Sequence, residues 1–88
     1  MQLEFLKDEK EEAKVRFPNE NSIFANAIKD ELWLTKGVEI ATLDKRHPLV
    51  GKPELVIQGK EPRKLMKTAA QNLKKKVEDF EKAILKEI

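Results

Sequence analysis

Few of the 88 residues are of the types that do chemistry, and those few are not grouped for it. There is no cysteine, so disulfides and thiolate metal sites are out of reach. The one histidine, His47, stands directly before Pro48. A structural hydrogen bond is the ordinary role there, whereas a metal or acid–base centre needs several such groups together. The carboxylates are scattered over segments that look solvated. No nucleophile has a base at a workable spacing, and no glycine-rich phosphate loop occurs. The sequence therefore predicts no catalytic residue, no metal site and no cofactor. Trp33 lacks a second aromatic with which to build a base-stacking platform and reads as a plug of the core or its edge. Asn26 is a poor mid-helix residue, so it is expected to hydrogen-bond a loop or a neighbour.

What remains is charge and oil. The chain carries 18 basic and 16 acidic groups, unevenly placed. Residues 1–36 hold 6 basic and 8 acidic groups, and residues 60–88 hold 9 and 5. The basic excess lies on Arg63, Lys64, Lys67 and the run Lys74-Lys75-Lys76. Such a run reads either as the solvated face of a long helix or as a contact for nucleic acid or an acidic protein surface. No apolar run approaches the roughly 20 residues that cross a bilayer. The opening Met1-Gln2-Leu3-Glu4-Phe5 has neither the basic flank nor the apolar stretch of a secretory signal. A soluble, cytoplasmic, single domain over residues 1–88 is expected, with a marginal core of its own.

The positioning elements follow from periodicity. Met1, Leu3 and Phe5 alternate with polar residues, as do Ala13, Val15 and Phe17, giving two strands joined by the charged turn Lys7 to Glu11. Pro18 ends the second strand. Asn21 or Ser22 caps a helix from about Ile23 to Leu34. Its inward stripe is Ile23, Ala27, Ile28 and Leu32, flanked by Phe24 and Trp33. Gly37 suits a C-cap. Val38, Ile40 and Thr42 begin a third strand, with Ala41 and Leu43 on its other face. Residues 44–53 are turn-rich, Leu55 to Ile57 form a fourth strand, and Pro62 opens the last helix. The expected fold is α+β: a two-layer ββαββα sandwich, a four-stranded antiparallel sheet with both helices on one face.

The last helix is the anomaly. From Arg63 to Ile88 there is no glycine or proline. Met66, Ala70, Leu73, Val77, Phe80 and Ile84 recur at alternating steps of four and three, the rhythm of a helix that lays a seam against another helix. Its length is roughly 40 Å, against a diameter near 30 Å for a compact domain of this size, so roughly 10 Å should overhang. In the first half Leu65 and Ala69 widen the apolar arc. In the second only Val77, Phe80 and Ile84 hold the seam, with Leu85 and Ile88 as outliers. Burying those three is worth about 1.5–3 kcal/mol each, a sum that rivals the stability of a small domain. The competing arrangement is a helix that bends or frays after about Lys76, its tail covering the edge of its own sheet.

Two stretches carry a family resemblance. Arg46-His47-Pro48-Leu49-Val50-Gly51-Lys52-Pro53-Glu54-Leu55 resembles the "HPL…GKP" loop of archaeal RNA polymerase subunit L. Asn19-Glu20-Asn21-Ser22-Ile23-Phe24-Ala25-Asn26-Ala27-Ile28-Lys29 resembles that family's first helix, which usually reads like "EDHTLANALR". Element order and the long last helix match too, over essentially the whole chain. The family's motif positions fall on Asn26, Lys29, His47, Pro48, Leu49, Gly51, Lys52 and Pro53. Ser22 and Ile23 depart from its common His-Thr.

The resemblance implies a non-catalytic assembly subunit of DNA-directed RNA polymerase. It implies a heterodimer with the larger α-like RNA polymerase subunit, as platform for the large catalytic subunits, with no cofactor, no membrane contact and no direct sequence-specific reading of nucleic acid. Pairing through the two helices would place Phe24, Ile28 and Leu32 of the first, and Met66, Ala70, Leu73, Val77, Phe80 and Ile84 of the second, at the partner face. The alternative from the residues alone is a small basic nucleic-acid-binding protein working through the lysines of the long helix.

Overall fold

The computed structural model describes residues 3–17, 23–44 and 53–88. Its elements are β1 (Glu4–Asp8), β2 (Glu12–Arg16), α1 (Ile23–Trp33), β3 (Val38–Asp44), β4 (Glu54–Gly59) and α2 (Pro62–Glu87). The strands form one antiparallel sheet in the order β1-β2-β4-β3. This is the α+β layout that the alternation of apolar residues predicts.

Register explains why one face is oil and the other is salt. Phe5, Val15, Leu55 and Leu43 stand opposite one another across the four strands, and Ala13, Ile57 and Ala41 form the next row. These rows meet Ala25, Ile28 and Leu32 of α1 and Leu65, Met66 and Ala69 of α2 in one core. The row flanking the first on its other side, Glu4, Arg16, Glu54 and Asp44, points the other way because neighbouring residues alternate faces. It is knitted by charge. Arg16 donates to Glu54 at 2.9 Å, Lys14 Nζ stands 3.3 Å from the same carboxylate, and Glu4 lies 3.6 Å from Arg16. The hydrogen bond from Arg16 holds the Glu54 carboxyl below the usual carboxylate range.

Several elements differ from expectation in instructive ways. β1 runs through Lys7 and Asp8 rather than turning there. Both charges are satisfied in place: Lys7 donates to Glu12 at 2.8 Å, and Arg63 donates to Asp8 at 2.8 Å while stacking 3.9 Å over the Phe5 ring. In β3, where the sequence makes both faces partly apolar, the buried face is that of Ala41 and Leu43. The register shifts between Val38 and Ile40, so the extra residue moves Ala41 and Leu43 inward and leaves Ile40 and Thr42 outside. In α1 the inward line is Ala25, Ile28 and Leu32, while Ile23 is well exposed. Leu32 is wholly buried, so it is core and cannot belong to a partner face. The expected caps Asn21 and Ser22 lie outside the described residues.

Gly37 is not the helix cap. The helix closes earlier, with the Leu34 and Thr35 N–H groups donating to Glu31 and Leu32, and the Thr35 hydroxyl donating back to Glu31 O at 2.9 Å. Gly37 sits in the turn that follows, at φ 99°, a conformation costly for any side chain. It abuts Gly59: a Cβ on Gly59 would lie 2.6 Å from the Gly37 carbonyl oxygen and 2.8 Å from Leu65 Cδ1. This tight junction brings the start of α2 down onto β4. Pro62 is the first residue of α2, as its fixed φ favours.

Candidate dimerisation face

α2 is one unbroken helix of 26 residues, about 39 Å long at 1.5 Å per residue. The whole molecule measures 43 × 32 × 19 Å, so the helix sets its longest dimension. Its first three turns are anchored. Pro62 and Ala69 are buried, and Leu65, Met66 and Leu73 are half-buried. From Lys74 to Ile88 every residue is exposed, and the helix does not bend back over its own sheet.

The seam leaves its own core as it runs outward. Met66 and Leu73 are half-buried, but Phe80, which continues their line, is 67% exposed. The parallel line of Ala70, Val77 and Ile84 is exposed throughout, Val77 at 57% and Ile84 at 42%. An apolar row of this size, wet on a chain with a marginal core, is the mark of an interface.

α1 adds to the same side. Lys76 of α2 donates to both carboxylate oxygens of Glu31, at 3.1 and 2.8 Å, and Glu31 is buried by the contact. Phe24 precedes Glu31 by seven residues, two turns, and so shares its α2-facing flank; it is 59% exposed. Ile28 is half-buried against the core. Neither periodicity nor motif singles out Glu31, whose burial depends on a lysine 45 positions away.

The opposite flank of α1 looks different. Asn26, Lys29 and Trp33 line an open groove of about 420 Å³ whose floor is Ala41, Thr42 and Leu43 of β3. Lys29 donates to the Asn26 side chain at 3.4 Å and lies 3.5 Å from Asp30. Trp33 is 51% exposed and forms a wall of this groove over the edge strand β3, so of the two places expected for it, core or edge, it takes the edge. Pro53 is buried, and its carbonyl accepts the Phe17 N–H at 3.0 Å. His47, Pro48, Leu49, Gly51 and Lys52 lie outside the described residues.

The charges of α2 are interleaved. Lys76 is engaged by Glu31 and Lys74 lies 3.9 Å from Glu78. Among the described residues no group of three or more histidines or carboxylates is placed to hold a metal, and no helix is long and apolar enough to cross a membrane.

Comparison with known proteins gives the exposed seam a context. The RNA polymerase Rpb3/Rpb11 dimerisation domain matches residues 12–83. The chain belongs to the Rpb3/Rpb11 dimerisation domain family. It is 29% identical over 82 residues to the DNA-directed RNA polymerase subunit Rpo11 of Methanothermobacter thermautotrophicus, covering 93% of this chain and 96% of that protein. Its fold is that of DNA-directed RNA polymerase subunit L from Thermoplasma acidophilum. That crystal structure superimposes with a TM-score of 0.84 at 24% identity, over 98% of this chain and 87% of the other. The family match spans β2 through most of α2, so it includes Val77 and Phe80, while Ile84, Leu85 and Ile88 fall just beyond it.

Proposed function

We propose that this Rpb3/Rpb11-family chain is an assembly subunit of DNA-directed RNA polymerase that does no chemistry of its own. It pairs with the larger α-like subunit through α1 and α2, and the pair supports assembly of the large catalytic subunits. The observation that carries this reading is the row Val77, Phe80 and Ile84, displayed on a helix that its own sheet leaves uncovered. A second α-like fold offers the complement: helices on one face of a sheet, with an apolar face to share. Phe24 would extend the contact from α1, and the half-buried Met66, Leu73 and Ile28 would line its inner edge.

The groove of Asn26, Lys29 and Trp33 faces away from this seam, leaving it accessible to a large catalytic subunit after pairing. The nucleic-acid reading is weaker, because Lys74 and Lys76 are already matched to carboxylates. Co-expression of the chain with the larger α-like subunit, followed by size-exclusion chromatography, tests the proposal. The expected result is a 1:1 complex. A chain that elutes as a clean monomer and ignores that subunit refutes it.

A further inference from the structure

The apolar surface of α2 changes width along its length, and the width reports how many elements cover it. At about 100° per residue, Leu65, Ala69, Pro62, Leu73 and Met66 span an arc of about 100°. That stretch packs against two things at once, the sheet and α1. Val77, Phe80 and Ile84 span only about 60°, the width a single facing helix fills. Beyond them the arc opens again. Leu85 and Ile88, 65% and 93% exposed, lie on the far side of Ile84 from Phe80 and widen the tail's apolar surface to about 140°. One helix cannot cover that, so two elements must.

We infer that Leu85 and Ile88 are gripped by a second element of the same partner, distinct from the one that faces Val77, Phe80 and Ile84, and that they set which partner is accepted. This rests on the pairing proposed above and extends it. The occupant is the partner α-like subunit and not a third protein, because the arc is continuous with the seam through Ile84. Leu85 and Ile88 lie beyond residues 12–83, the stretch that the dimerisation domain matches and that holds Val77 and Phe80, so selectivity for one partner can be added there without disturbing those two.

The test uses the full chain and the purified larger α-like subunit, with binding measured by calorimetry. Leu85→Gln keeps good helix propensity and should weaken pairing at least tenfold. Lys86→Gln, on the opposite side of the helix, should leave it unchanged. A photo-crosslinking residue at position 85 and another at position 80 should attach to different elements of the partner. Leu85→Gln binding within twofold of wild type, while Phe80→Asp abolishes pairing, overturns the inference and spares the seam. Crosslinks from both positions to one helix overturn it equally. If Phe80→Asp binds as wild type, the pairing itself is wrong and this inference falls with it.

Discussion

Replacing Phe80 by aspartate separates the fold from the partnership. Phe80 is 67% exposed and makes no part of the core. The domain should therefore lose little, about 0.5 kcal/mol, as for an ordinary surface substitution. In the complex the loss is of another order. Full burial of a phenylalanine contributes about 1.5–3 kcal/mol, and leaving an unpaired carboxylate in a desolvated contact costs about 3–5 kcal/mol. Even the lower ends, combined, correspond to about a thousandfold in affinity. Calorimetric titration of the purified variant against the larger α-like subunit reads this directly, with circular dichroism and a urea midpoint confirming an intact fold. Leu32→Ala is the converse control: Leu32 is wholly enclosed, so its loss should cost about 2–5 kcal/mol of stability. Pairing by Phe80→Asp within threefold of wild type would show that the seam is not the contact.

Three further outcomes are expected. Gly59→Ala should lower stability by about 1–3 kcal/mol, because its methyl would meet the Gly37 carbonyl oxygen at 2.6 Å; an unchanged melting temperature would show that the junction has slack. Lys76→Ala should cost about 1–2 kcal/mol, since it strips the buried Glu31 of its partner, while Lys75→Ala should be silent, and equal effects would deny the contact any role. Protonation of Glu54 is resisted in the folded state because Arg16 holds its pKa down. That stabilisation is whole above the ordinary carboxylate value of about 4.3 and is lost as pH falls through the lower folded value. Glu54→Gln should thus flatten the acid limb of stability measured by urea midpoints, and an identical slope would remove Glu54 from the linkage.

What the sequence makes legible is what local rules decide. β2 alternates without interruption, α2 is announced by Pro62 and by its unbroken helical run, and both lie near the expected bounds. The seam is readable for the same reason, since a repeat of three and four is a local pattern. The differences arise where one residue's face is settled by distant neighbours. α1 is apolar nearly all round, with Ile23, Phe24, Ala25, Ala27, Ile28, Leu32 and Trp33, so hydropathy cannot choose between two stripes. The small Ala25 wins because it lets the helix lie close over the sheet, and Ile23 is left outside. The shift in β3 answers to its pairing with β4, which no alternation in β3 itself encodes. Leu32 suits both the core stripe and the partner face by pattern, and a residue without exposure can serve only the inner one.

The uncovered half of α2 also makes the chain its own gauge of assembly. Amide protons from Lys74 onward are held by hydrogen bonds along a solvent-washed rod, and such bonds open with little free energy. Once a neighbour closes over that rod, the same protons can exchange only when the subunits part. Under the pairing proposed above, the deuterium uptake of about four turns therefore reads the fraction of chains incorporated, without a label, in the same sample from which the enzyme is purified.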